Sequence, residues 1–250
     1  MKKLVALMLV GAMTAAMMTG CGSSADTSAS TDAAAEDTAA DAEATEDTAE
    51  AAEDTAADAK SDLAYVKEKG TLVVGITEFE PMDYKDENGE WIGFDADMAK
   101  AFAESLGVTA EFQVIDWDNK ILELEGKTID CVWNGMTLTD EVTSAMECTN
   151  AYLNNAQVVV VPADVADQYQ DEESLKDLSF AVEAGSAGEA EVSALGLNYT
   201  PVSSQADALM EVASKSSDAA VIDSLMAGAM IGEGTGYADL TYTIGLNSEE

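Results

Sequence analysis

From Thr71 onward the chain alternates between two kinds of segment, and that alternation limits the folds open to it. Short β-branched and apolar runs cover 71–76, 109–115, 128–133 and 157–161. A second series covers 179–183, 198–202, 219–222 and 240–244. Between them lie stretches with helical start and stop signals. Ser61 can cap a short helix closed by Gly70, and helices are expected over 119–125, 187–195, 205–214 and 224–231. Asp95 is expected to cap a helix carrying Met98, Phe102 and Leu106 on one apolar face and ending at Gly107. The Asn88-Gly89 turn within Asp86-Glu-Asn-Gly-Glu90 suits a hairpin loop. Repeated strand–helix alternation predicts mainly parallel sheets with helices on both faces, hence an α/β fold. Two such series predict two α/β lobes, here 61–157 and 158–250. Ligands of such open sheets bind beyond the carboxyl ends of the strands.

The first sixty residues are of another kind. Lys2 and Lys3 precede an apolar, small-residue stretch over 4–18, too short for a comfortable membrane span. Met18-Thr-Gly-Cys21 follows and resembles a bacterial lipobox, with Met where Leu is usual. Residues 1–20 are therefore expected to be a cleaved lipoprotein signal, and Cys21 the lipidated N-terminus. An ordinary signal peptide with an incidental cysteine is the alternative. Residues 22–59 are almost wholly Ala, Thr, Ser, Asp and Glu, with Glu-Asp-Thr-Ala recurring at Glu36, Glu46 and Glu53. Dense like charge and no apolar residue larger than Ala leave nothing to form a core. Residues 21–60 read as a tether spanning about 35 Å as a flexible coil. The expected location is the outer face of the cytoplasmic membrane.

Charge and composition exclude several functions. The formal net charge is −38, and the eleven basic residues are all Lys, with no His. Nucleic-acid binding needs basic side chains, so it is not expected, and the acid excess suits solubility. Ser-His and Cys-His catalytic arrangements need the absent His, and a transition-metal site lacks a ligand set. No cofactor is expected. Cys131 and Cys148 can pair or remain free thiols; spacing does not decide between them.

Seven segments recur together, in this order, in one known family. They are Gly70-Thr-Leu-Val-Val-Gly75, Phe79-Glu-Pro-Met82, Trp91-Ile-Gly-Phe-Asp95-Ala-Asp97 and Trp117-Asp118. Ile129-Asp-Cys-Val-Trp-Asn-Gly-Met-Thr137-Leu-Thr139, Val182-Glu-Ala-Gly-Ser186 and Ala219-Ala-Val-Ile-Asp223-Ser224 complete the set. Over residues 61 to about 247 the chain resembles the bacterial extracellular solute-binding proteins of family 3, which serve polar amino acid importers. The resemblance implies a periplasmic-binding-protein-like fold, two hinged lobes with a ligand cleft between them. It also implies a monomer that passes an amino acid or amine-bearing solute to an ABC permease.

By position the resemblance assigns ligand contacts. Phe79 and Trp117 would sandwich the ligand side chain. Asn134, Gly135 and Thr137 would hydrogen-bond its amino and carboxylate ends. Gly185, Ser186 and Ala187 stand at a helix start, where free amides and the dipole favour a carboxylate. Asp223 would pair with an ammonium group. Each has a plainer reading: buried aromatics, an ordinary turn, a serine-capped glycine turn, and a strand-end helix cap.

Two departures stand against the resemblance. The family normally carries an Arg for the ligand carboxylate where this chain has Val142, and the chain has no Arg to replace it. Either the amides at Ser186 and a Lys such as Lys120 hold the carboxylate, or the ligand has none. A cationic or non-standard ligand follows as an expectation, with Glu78, Glu80 and Asp223 supplying negative charge. After Thr241 the family's return segment and terminal helix on the first lobe are not found. Two other functions stay open: an exported dehydratase-like enzyme on the same fold, and a surface lipoprotein that transports nothing.

Overall fold

The computed structural model describes residues 61–247. The expected signal (1–20), lipidated Cys21 and tether (21–60) lie outside them.

Helix α1 (Asp62–Lys69) starts at Ser61, whose hydroxyl accepts from the Ala64 amide, and ends at left-handed Gly70. Strand β1 (Thr71–Ile76) follows. The short strands β2 (Tyr84–Lys85) and β3 (Trp91–Ile92) pair antiparallel around the Asn-Gly turn. Helix α2 (Phe94–Leu106), strand β4 (Thr109–Val114), helix α3 (Lys120–Glu125) and strand β5 (Cys131–Val132) complete the first lobe's framework. Its sheet has the order β4-β1-β5, all parallel. Leu72, Val74 and Ile76 share one face of β1, where they form a buried cluster with Ala99 and Ala103 of α2.

After helix α4 (Asp140–Ala145) the chain enters the second lobe at β6 (Gln157–Pro162). The remaining elements are β7 (Ser179–Glu183), α5 (Ala187–Ala194), β8 (Asn198–Val202), α6 (Gln205–Ala213), β9 (Ala219–Asp223), α7 (Ser224–Met230) and β10 (Leu240–Gly245). They build a five-stranded sheet of order β10-β6-β9-β7-β8. Its central strands are buried on both faces, so their side chains divide by parity. Val158, Val160, Ala220 and Ile222 enter one core cluster, while Val159, Val161, Ala219 and Val221 enter the other. Pro201 sits in β8, an edge strand, where a missing amide costs least.

Three expectations need correction. The second sheet is mixed: β6 runs antiparallel to β9 and β10 antiparallel to β6, although β7 is parallel to β8 and β9. Asp95 is not a cap, because α2 begins at Gly93 without a side-chain capping bond. Nor does α2 bury Met98 and Phe102, which are exposed; it buries Asp95, Ala96, Ala99 and Ala103. Small side chains let the helix backbone approach the sheet closely, and that closeness outweighs the larger transfer free energy of the bulky residues. Residues 140–145, to which the sequence assigned no element, form a helix capped by the Thr139 hydroxyl accepting from the Val142 amide. Cys131 and Cys148 are free, and burial pushes the Cys131 thiol up to about 12.

Candidate functional site

A cavity of about 260 Å³ opens where the loops after β1 and β5, with α3 and α4, face the ends of β7 and β9 and the start of α5. It lies beyond the carboxyl ends of parallel strands from both lobes. All nine residues singled out in the sequence line it: Phe79, Trp117, Asn134, Gly135 and Thr137 from the first lobe, and Gly185, Ser186, Ala187 and Asp223 from the second. Val142 lines it too, and is 2% exposed.

The first-lobe wall is built by close packing. Phe79 follows β1 and is buried with Met82 in the same cluster as Val158, Ala220 and Ile222 of the second sheet. Gly135 holds φ +59°, and a Cβ there would come within 2.8 Å of the Phe79 ring. The Phe79 ring therefore requires glycine at this turn. Asn134 spends its side chain on Thr77: its oxygen accepts from the Thr77 amide at 2.9 Å and its nitrogen donates to the Thr77 hydroxyl at 2.7 Å. That pair ties the cavity loop to the end of β1. Trp117 opens a short 3-10 turn ahead of α3, and the Lys120 ammonium stands 5.1 Å from its ring centroid.

Lys120 is the cation of the site, and it is 4% exposed. Its ammonium donates to the Gly185 carbonyl at 2.8 Å, across from the first lobe to the second, and to the Trp117 carbonyl at 3.3 Å. Burial lowers its pKa, opposed by Glu141, Asp118, Glu183 and Glu189 around it. Gly185 must approach this wall closely: its φ is +71°, and a Cβ would sit 2.6 Å from the Asp118 Cα.

At the start of α5 the Gly185 and Ser186 amides and the Ser186 hydroxyl are engaged within the chain. The Ser186 hydroxyl accepts from the Glu189 amide at 3.1 Å, and the Gly185 amide donates to the Glu189 carboxylate at 2.7 Å. The Ser186 amide donates to the Glu183 carbonyl at 3.2 Å. The arrangement is a capping box displaced by one residue: Ser186 takes the Glu189 amide, but Glu189 takes the amide of Gly185 rather than that of Ser186.

Asp223 stands at the α7 cap position but makes no capping bond there. Its carboxylate accepts from Gln157 Nε2 at 2.8 Å, from Asn155 Nδ2 and from Gln205 Nε2. Burial raises its pKa, and the three amide donors oppose the rise. Glu183, at the end of β7, is 3% exposed, with Gln205 Nε2 at 3.5 Å. Burial first, and then the Asp223 charge, pushes the Glu183 carboxyl up to about 8.

Sequence reading missed Glu183, Gln205, Asp140 and Glu141 as wall residues. Glu183 was visible as the polar end of an apolar strand, the same signal that singled out Asp223. Glu78 and Glu80, expected to supply negative charge, do not line the cavity; Glu78 faces Lys85 at 4.0 Å instead. Among the described residues no group of three or more Cys, Asp or Glu is placed to hold a metal ion. No helix among them is long and apolar enough to cross a membrane.

The family model of the bacterial extracellular solute-binding proteins, family 3, matches residues 72–225. The arginine-binding extracellular protein ArtP of Bacillus subtilis (strain 168) is 30% identical over 167 residues, covering 64% of this chain and 63% of ArtP. The chain thus spans less than two thirds of that relative's length. The arginine-bound form of truncated ArgBP from T. maritima is 33% identical, over 74% of this chain and 87% of that one, with a TM-score of 0.69. The ancestral amino acid-binding protein AncCDT-1, a precursor of cyclohexadienyl dehydratase, is 35% identical over 68% of this chain and 77% of its own, at a TM-score of 0.65.

Proposed function

This chain belongs to the bacterial extracellular solute-binding proteins, family 3, and on that premise we propose that it captures an amino acid or a related small polar solute for an ABC importer. One observation carries the reading. Nine residues scattered from Phe79 to Asp223 converge on one cavity between two α/β lobes. Such convergence puts aromatic faces, backbone donors and a buried carboxylate around a space suited to a small polar molecule. In this reading Phe79 and Trp117 bracket the apolar part of the solute, the 134–137 loop and the start of α5 offer polar contacts, and Asp223 meets an ammonium. The lobes 61–157 and 158–250 would hinge around it.

The same proposal places Cys21 under a lipid, with 21–60 as tether and the permease as partner, the binding protein acting as a monomer outside the cytoplasmic membrane. Binding without turnover is the expected activity, as in the arginine-binding relatives, although the likeness to a dehydratase precursor shows that this fold also carries enzymes.

A thermal-shift screen of the full chain against amino acids, amines and small peptides tests the proposal. A solute present at a hundred times its Kd stabilises the native state by about 2.7 kcal/mol. For a folded region of this size that is a rise of about 5–10 °C in Tm. Asp223→Ala and Trp117→Ala should each abolish the rise. A cooperative melt that no compound shifts would refute solute capture. A product formed from any compound that does bind would replace it with enzymatic turnover.

A further inference from the structure

The proposal above leaves the class of solute open, and the cavity walls narrow it. Acids stand on both sides. Asp140 and Glu141 belong to the α4 wall, and Glu183 and Asp223 to the wall formed by the ends of β7 and β9. Against them stands one ammonium, Lys120, which already donates to two backbone carbonyls and lies over the Trp117 ring. Between the acidic walls are Phe79 and Trp117, apolar surfaces suited to a methylene chain.

Several of the places that could receive a carboxylate are taken. At the start of α5 the Gly185 amide holds the Glu189 carboxylate, and the Ser186 hydroxyl and amide are engaged by Glu189 and Glu183. A ligand carboxylate arriving there would meet a like charge already seated. At the start of α4 the Val142 amide donates to Thr139 Oγ1, and Val142 itself offers only methyl groups. The acids, by contrast, share one counter-charge, Lys120, which acts on Glu183 and Glu141. Glu183 is buried with its donor no nearer than 3.5 Å, and Asp223 is held by neutral amides alone. A buried carboxylate without a cation is costly, and a cation supplied by a ligand removes that cost.

We propose, resting on the solute-binding reading, that the solute is an organic dication without a carboxylate. A short diamine or an amino-guanidine would lie with one cationic end at Glu183 and Asp223 and the other at Asp140 and Glu141. Glu189 acts as an internal anion that excludes α-amino acids from the cleft.

Matched pairs test this by calorimetric titration of the full chain. Agmatine differs from arginine, and cadaverine from lysine, by loss of the α-carboxylate. Agmatine or cadaverine should bind at least tenfold more tightly than its amino acid. Glu183→Gln should weaken the amine at least tenfold. Glu189→Gln, in a protein that still melts cooperatively, should shift the agmatine-to-arginine ratio several-fold toward arginine. Arginine or lysine binding as tightly as its amine would overturn the dication proposal and leave solute capture standing. An unchanged ratio in Glu189→Gln would remove Glu189 as the excluding group and overturn the proposal in that form. No saturable binding of any amine or amino acid would overturn solute capture itself.

Discussion

The ammonium of Lys120, carried by the first lobe, donates a 2.8 Å hydrogen bond to the carbonyl of Gly185 in the second. It is a charged bond made by a buried side chain, so its energy is not screened as a surface pair would be. Hydrogen bonds to charged groups contribute about 1.5–3 kcal/mol. Lys120→Met keeps the apolar stem and deletes the charge, so it should lower Tm by about 3–12 °C in a calorimetric scan. An unchanged melting temperature would show that this bond does not hold the lobes.

The same junction depends on the absence of a side chain. Gly185→Ala must place a non-glycine residue at φ +71° and a Cβ at 2.6 Å from the Asp118 backbone. Gly70, at φ +81°, where an added Cβ would meet nothing within 4 Å, isolates the conformational part of that cost. Gly70→Ala should cost about 1–2 kcal/mol. Gly185→Ala should cost clearly more and should also weaken solute binding, because Asp118 and the neighbouring Trp117 have to move. Equal losses in the two variants would mean that the cleft yields without strain.

Much of this was legible in the residues. Strand and helix order followed from periodicity and capping, since Ser61, Gly70 and the β-branched runs act locally. The nine cavity positions followed from the family resemblance, and they come together because a parallel fold gathers its strand ends. Strand direction was not legible: Gln157–Pro162 and Ala219–Asp223 read alike as buried strands, yet they pair antiparallel. Glu183 was overlooked because a polar residue ending a strand looks the same whether it caps a helix or faces a cavity. Glu189 was overlooked as well. Serine followed three residues later by glutamate is a visible capping-box pattern, and its consequence for an anion site appears only with the geometry.

Two buried acids predict an unusual dependence of stability on pH. Burial and the nearby Asp95 push Asp83 up to about 8, and both its carboxylate oxygens are buried without a hydrogen-bond partner. Tyr152 also lies within its field. Glu183 is pushed up to about 8 by burial, Asp223 and Asp207, against Gln205 and Lys120. Between their unfolded values near 4 and about 8, the native state holds protons that the unfolded chain has released. Stability must therefore fall as pH rises through that window, by up to about 1.4 kcal/mol per pH unit for each whole proton, and level off above it. Thermal melts from pH 5 to pH 9 should show the decline, and Asp83→Asn should reduce its slope. A stability that is flat or rising from pH 5 to pH 8 would contradict both assignments.

Helix α2 supplies a sharp test of which face meets the sheet. Its larger apolar residues, Met98 and Phe102, are 43% and 45% exposed, whereas Ala99 and Ala103 are fully buried against β1. Hydrophobicity alone would assign the opposite face inward. The close approach of helix and strand decides the matter, since a packed interface of small residues leaves no space for added methylenes. Ala99→Leu should therefore cost about 1–3 kcal/mol by overpacking. Met98→Ala should stay within about 0.5 kcal/mol of the parent, as expected for a surface site. Urea melts of the two variants would read the difference directly as a shift in midpoint at constant slope. A tolerated leucine at 99 together with a damaging alanine at 98 would mean that α2 is rotated from the position described.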